Sequence, residues 1–430
     1  MKYKTKGENI METKRIFELI DERRGELFEL LGSLVKVNTE NLGNGGNEKN
    51  IVPLLEKICK ELSLETDVFS PLSLEGFEEH PDYIPGHNLD DRYNVVARYK
   101  GTEDRDDLML MAHTDTVLIG DVANWNTDPL LGEIIDGKII GRGVGDDKYA
   151  LATILFIFKL LREECFVPKA NMLFAGYVDE EYGGSHGAMA AVMKYPCPRI
   201  VSMDGREDQI WHCGSGGGEM AYMYHTAEPV SSAKKAADAL PIVLDVIERE
   251  FGDKRRAELE ASPYYKGTNI PSTALRYMHI HAGDHGHDLG VGDVYFVFYT
   301  DKTKEEIYAE LARIEKILAD KLAPLGIIGD GFEARTRFFH YVHCAPDSDD
   351  ILDMLAASRE ATGKEPIVCG SCLSDLSVIS KHGSSRAFAF GCGREFSKLG
   401  GAHQPNEFIE CDKLVDYVKT VAAYILRTLG

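Results

Sequence analysis

The sequence predicts an α/β fold: a central mixed sheet flanked by helices, with an inserted α+β domain. Two apolar runs predict buried strands. Residues 108–112 lead into His113-Thr114-Asp115, and residues 172–178 lead into Asp179-Glu180-Glu181. Amphipathic helical segments alternate with such runs up to Asp204 and again after about 329, as in a sheet with helices on its faces. At 430 residues the chain is too long for one typical core. The break in alternation divides it into 13–211, an insertion at 212–328, and 329–430.

Each element has its own signal. Residues 1–12 read as a loose tail. Ile16, Ile20, Leu27, Leu31 and Leu34 form the apolar stripe of a first helix, and a second helix follows a Gly/Asn loop and ends near Leu62. Residues 71–92 form a long irregular stretch with Pro81, Pro85 and two histidines; loops of that length inside a domain are usually functional or flexible. Strands are expected at 94–99 and 108–112, and Asp136-Gly137 between two short apolar runs predicts a tight hairpin. A helix begins near Asp147. A strand at 172–178, a helix at 185–194 and a strand at 199–203 follow. In the insertion, a Gly-rich run at 211–218 and a strand precede a helix from about 231 to 251. Polar coil is then expected to Pro271, followed by strands at 274–281 and 294–299 and a helix at 302–322. A helix at 350–361, a strand at 386–390 and a final helix from Cys411 close the chain.

Composition excludes several partners. The net charge is −22, from 48 Lys+Arg against 70 Asp+Glu, which argues against nucleic acid and anionic membranes. No apolar stretch has the length of a membrane span, and the polar N-terminus lacks the apolar core of a signal peptide. Nine cysteines, an odd number, fit reduced thiols and a cytoplasmic location. Cys369-Gly-Ser-Cys372 has the spacing of a redox pair but stands alone, so two structural thiols are the expectation.

The chemistry gathers at strand ends, where open α/β sheets place their ligand sites. His113 and Asp115 are two apart on extended backbone, so their side chains share a face. A carboxylate beside a ligating imidazole fixes its tautomer and raises its basicity. Alone, the pair would read as a core histidine with its partner. Gly141-Arg-Gly-Val-Gly-Asp146 is a poor dinucleotide fingerprint, because a carboxylate at the third glycine position repels pyrophosphate. That disfavours a nicotinamide oxidoreductase. The glycines let the backbone turn and aim Asp146 inward, as a helix cap or as a metal-bridging carboxylate. Glu180 and Glu181 are adjacent and point apart, so one can bind metal while the other reaches a metal-bound water. Asp204 ends a strand and His403 lies in a late loop.

Together these motifs, in this order, resemble the two-zinc amidohydrolases and exopeptidases that include acetylornithine deacetylase, succinyl-diaminopimelate desuccinylase, aminoacylase and glutamate carboxypeptidase. The similarity runs from about Asn94 to Glu407. It implies a zinc-exopeptidase-like catalytic domain with an inserted lid and dimerisation domain. His113, Asp146, Glu181, Asp204 and His403 are then the metal ligands, with Asp146 as bridge, and Glu180 and Asp115 are the catalytic residues, with Glu180 as general base. Two Zn²⁺ per subunit are implied, with Co or Mn as substitutes, as are a homodimer and a cis peptide bond between Asp146 and Asp147. The implied reaction is attack of a metal-bound hydroxide on the amide of a small N-acyl amino acid or related amide. A di- or tripeptidase with the same site is the alternative, and a non-catalytic relative is disfavoured because no site residue is lost. The family's carbonyl-polarising histidine falls on His225, in the cluster His279, His281, His285 and His287, or on none of them, the cluster then being a surface feature. The family's substrate-binding Arg is not evident near Tyr299-Thr-Asp-Lys302.

Overall fold

Strand β3 (Asp106–His113) is buried from Asp107 to His113 and forms the middle of the main sheet. The computed structural model describes residues 12–229, 232–266, 268–284 and 289–430. The expected tail therefore lies outside the described residues up to position 11, as do His285 and His287. The chain forms two units. The first runs to His212 and resumes over Cys344–Val368 and Val378–Gly430; the second holds Cys213–His343 and Cys369–Ser377.

In the first unit, α1 (Thr13–Glu22), α2 (Arg24–Val35) and α3 (Val52–Glu61) precede β1 (Glu65–Phe69), β2 (Asn94–Tyr99) and β3. The hairpin β4 (Glu133–Ile135) and β5 (Lys138–Ile140) leads into α4 (Lys148–Glu163). Then come β6 (Asn171–Tyr177), α5 (His186–Lys194), β7 (Arg199–Ser202) and β8 (Gln209–Gly214). After the second unit follow α9 (Asp349–Thr362), β14 (Ile367–Gly370), α10 (Leu376–His382), β15 (Phe388–Phe390), β16 (Phe408–Glu410) and α11 (Cys411–Leu429). The sheet is mixed, in the order β1-β2-β6-β3-β7-β15-β8. β3 runs parallel to both β6 and β7, and β15 runs parallel to β7. Helix α4 is buried on every face from Lys148 to Phe158, which its Ala, Leu, Ile and Phe content permits. Asp136 and Gly137 both take positive φ, 48° and 73°, the geometry of a type I′ hairpin turn. Strand β16 adds to β5 to make a separate three-stranded sheet.

The second unit is an antiparallel sheet in the order β10-β11-β9-β12, built from β9 (Gly216–Thr226), β10 (Leu275–Asp284), β11 (Gly290–Thr300) and β12 (Ile327–Ala334). Helices α6 (Ser232–Ile247) and α8 (Lys304–Leu322) cover one face, where Tyr222, Phe296 and Phe298 meet Val243, Ile247, Leu311 and Ile314. Thr303 caps α8 with its hydroxyl while Glu306 returns the bond, a complete capping box.

Three expectations need correction. The stripe from Ile16 to Leu34 belongs to two helices, because Arg23 leaves helical geometry and its guanidinium ties to Glu26 and Glu163. The polar coil expected after 251 contains helix α7 (Asp253–Ala261). Its buried side is supplied by Leu259 and by Arg255, which lies over the Phe251 ring and pairs with Glu258 and Glu310, so apolar periodicity overlooks it. The second unit extends past 328 to His343, since β12 pairs along β9 well beyond that point, and β13 (Val342–His343) closes it.

Candidate metal centre

Three neighbouring parallel strands deliver the first set of side chains to one edge of the sheet. β3 ends in His113, β6 runs into Asp179-Glu180-Glu181, and β7 runs into Asp204. Tyr149 of α4 fixes the last of these, its hydroxyl donating to the Met203 carbonyl at 2.7 Å. Asp146 arrives from the glycine-rich turn. Its bond to Asp147 is cis, and Asp147 occupies the N-cap position of α4 without a side-chain capping bond. The cap reading of this pair therefore does not describe either side chain's hydrogen bonding. His403 lies in the loop before β16 in a left-handed conformation, φ 66°, its ring 4.8 Å from that of Phe396.

These residues converge as two groups that share Asp146. His113, Asp146 and Asp204 present ligand atoms within 4.8 Å of one another, and so do Asp146, Glu181 and His403. Asp146 Oδ1 lies 2.9 Å from His113 Nε2, and Asp146 Oδ2 lies 3.2 Å from His403 Nε2. Glu181 Oε2 is 2.8 Å from His403 Nε2. Thus each oxygen of one carboxylate faces a different imidazole.

The supporting contacts explain the orientation. His113 Nδ1 donates to the Asp115 main-chain carbonyl at 3.0 Å, which fixes the ring so that Nε2 is the nitrogen turned to Asp146 and the one a metal would take. The Asp115 carboxylate was expected in that role but is 3.5 Å from Nδ1. It turns instead to the next strand end, where its Oδ2 accepts from the N–H groups of Glu180 and Glu181, both at 3.0 Å, and from Asn41 Nδ2 at 2.9 Å. Arg142 and Glu407 form a buried ion pair at 2.6 Å. The Glu407 carboxylate also accepts from Gly143 N and Gly145 N, while Arg142 Nη2 donates to the His403 carbonyl at 3.4 Å. One pair therefore ties the Asp146 turn to the His403 loop. Lys148 is buried with Nζ donating to the Val37 carbonyl at 2.7 Å, and burial pushes its amine down to about 7.

The electrostatics call for a cation. Burial opposes charge on His113 and His403, yet the neighbouring carboxylates, Asp115 and Asp146 for one and Glu181 and Asp146 for the other, raise both well above the usual range. Asp147 is fully buried and neither of its carboxylate oxygens has a hydrogen-bond partner. Burial above all, and the charges of Asp204 and Asp146, push its carboxyl well up. Asp146, Glu181 and Asp204 thus outnumber two imidazoles even with the Asp147 carboxyl held neutral. Nitrogen and carboxylate donors around a negative surplus suit a borderline divalent ion.

Several residues of this site escaped the sequence. Asn41 and Glu407 carry no metal-ligand spacing, and they act on side chains or turns far away in the chain. Arg142 and Glu407 were visible only as members of motifs. His225 pairs with Asp330 at 2.9 Å within the second unit, and His279 stacks on His281 with ring centroids 6.5 Å apart. Cys369 is buried and Cys372 half-buried.

The comparisons agree with this architecture. An uncharacterised metallohydrolase of Methanococcus maripaludis is 32% identical over 187 residues, and the matched segment spans only 42% of either chain. The N-formyl-4-amino-5-aminomethyl-2-methylpyrimidine deformylase of Bacillus subtilis is 22% identical over 440 residues, covering 95% of each chain. The dipeptidase Dug1p of Saccharomyces cerevisiae shares the fold, with a TM-score of 0.70 over 98% of both chains at 14% identity. Residues 109–427, from the strand that carries His113 to the last helix, match peptidase family M20/M25/M40, and the chain belongs to that family.

Proposed function

We propose that the protein is a metal-dependent amide hydrolase that acts on small N-acyl amino acids or related amides. The observation that carries this reading is the division of the Asp146 carboxylate between two ligand groups. Two zinc ions fit, with cobalt or manganese as substitutes. His113, Asp204 and Asp146 would hold one, and Glu181, His403 and Asp146 the other. Such ions supply Lewis acidity to a carbonyl and acidify a water. Glu180, which belongs to neither ligand group, takes the proton from the attacking water and returns it to the leaving amine. Asp115 holds the Glu180 and Glu181 amides and, through its own carbonyl, the His113 tautomer. The deformylase relative supports an amide as substrate.

The inserted unit serves as homodimer surface in this reading. β10 is an edge strand with Met278 and Ile280 exposed, which supports pairing with a second copy. Among the described residues no helix is long and apolar enough to cross a membrane, and a cytoplasmic location is proposed with it.

The test is to load the protein with zinc, cobalt or manganese and assay N-acyl amino acids, N-formyl amines and free di- and tripeptides. Release of amine from blocked substrates, abolished by a strong chelator, is expected. Cleavage of free peptides alone would move the assignment to a di- or tripeptidase. Full activity in chelator, with no transition metal by elemental analysis, would sink the metal reading.

The Arg142–Glu407 pair supplies a further expectation. Glu407→Gln leaves the buried Arg142 without its counter-charge and weakens the anchoring of two ligand loops. Metal affinity should fall roughly 10–100-fold, as for other groups that orient ligands. Competition with a chelating dye measures it, and unchanged affinity would show that the loops hold themselves.

A further inference from the structure

Glu180 and Glu181 are neighbours with different assignments, so the turn that carries them must be held. It begins at Asp179, which takes the left-handed conformation at φ 66°, a region Asp tolerates better than most residues. Its main-chain carbonyl accepts from Ser185 N at 2.6 Å, closing the loop. Its carboxylate sits in a cradle of donors. Oδ1 accepts from Arg92 Nη1 at 2.8 Å and from His87 Nδ1 at 3.1 Å, and Oδ2 accepts from His186 Nδ1 at 2.6 Å. The Arg92 fork also reaches Glu48, with Nε donating to Oε1 at 2.9 Å.

His87, Asp179 and His186 lie close enough to suggest a third metal site. The protons argue otherwise. His186 Nε2 accepts the Ile84 N–H at 3.2 Å, so the ring proton resides on Nδ1 and points at Asp179. A protonated nitrogen has no lone pair for a metal, and the Arg92 guanidinium takes a further position on the same carboxylate.

We infer that Arg92, His87 and His186 are positioning residues for Glu180. They clamp Asp179 on one side of the turn while Asp115 holds the Glu180 and Glu181 amides on the other. The inference rests on Glu180 being the general base of the amide hydrolase. It gives a role to the irregular stretch between β1 and β2, which carries both His87 and Arg92. That stretch is itself anchored: Asp82 pairs with Lys381 at 2.8 Å and His382 at 3.0 Å, and Tyr83 packs 4.9 Å from the His186 ring.

Two variants test it, each read by crystallography, metal content and kinetics. Arg92→Lys keeps a positive charge but cannot span both carboxylates with one ammonium. His87→Ala removes a side chain at the edge of the cluster, 11% exposed, and stays folded where a buried-charge variant fails. The Glu180 carboxylate should shift by about 1 Å with Glu181, Asp146 and His403 in place. In Arg92→Lys kcat should fall roughly 10–100-fold, and in His87→Ala about tenfold, with KM and metal content unchanged. An unmoved turn and an unchanged kcat in both variants would overturn the inference. So would loss of metal in proportion to loss of activity, which marks a merely structural role. If the parent protein hydrolyses no amide, the assigned reaction fails, and the position of Glu180 in the variant crystals still decides whether the clamp exists.

Discussion

Glu180→Gln is expected to keep its metals and to lower kcat by roughly 10²–10⁴-fold, the usual worth of a positioned proton-transfer group. The amide preserves the size of the side chain and leaves the backbone N–H bonded to Asp115. It removes only the capacity to accept a proton. Glu180 contributes no atom to either ligand group, so metal content should match that of the parent protein. The acidic limb of the kcat/KM profile, which reports the base in the free enzyme, should vanish with the residue. Glu181→Gln must behave differently, because Glu181 Oε2 lies 2.8 Å from His403 and Oε1 accepts from Val117 N. It should lose metal first and activity as a consequence. Near-normal turnover in Glu180→Gln, or metal loss there and not in Glu181→Gln, would exchange the two roles.

How far the chain could be read before folding depended on the range of each interaction. β3 and β6 announce themselves because a fully buried parallel strand is a continuous apolar run, and its polar end marks where the run stops. His113, Glu181 and Asp204 sit at or just beyond such ends, and Asp146 is marked by the glycine-rich turn before α4. The clamp around Asp179 has no such signature. Arg92 reaches back to Glu48 and forward to Asp179, and neither spacing corresponds to a local period. The Arg142–Glu407 pair joins motifs that lie 265 residues apart in the chain. Helix α7 was missed for a related reason. Its buried side is an arginine satisfied by Glu258 and Glu310, and hydrophobic periodicity counts Arg255 as solvent-facing. Strand β12 reads Ile-Ile-Gly-Asp-Gly-Phe-Glu-Ala and is mostly exposed, so it lacks the alternation that marks a strand, though it pairs along β9.

Asp146→Ala is expected to empty both metal positions at once, whereas Asp204→Asn and Glu181→Gln should each weaken one. The expectation follows from how the carboxylate is shared. Oδ1 faces His113 and Oδ2 faces His403, so removing the side chain takes a donor from each group. What remains is one imidazole and one carboxylate per group, too few for the four-coordinate geometry zinc prefers. Elemental analysis after dialysis should therefore fall from about two ions per chain to near none in Asp146→Ala. Stability separates this from unfolding. A ligand that binds only the folded chain, free at a thousandfold excess over its dissociation constant, stabilises by about 4.1 kcal/mol. Chelation should lower the Tm of the parent protein, and it should leave Asp146→Ala unmoved because there is no metal to remove. The same variant also takes from His113 and His403 the counter-charge they share, at 2.9 and 3.2 Å in the parent. Its metal-free form should therefore be less stable than the chelated parent, and the missing Tm response to chelator is the readout. Metal affinity in the parent must also fall as pH drops, because His113 and His403 bind metal only as neutral rings. If Asp146→Ala retained both ions, the two groups would be independent sites, and the case for a shared carboxylate at the centre of this hydrolase would be lost.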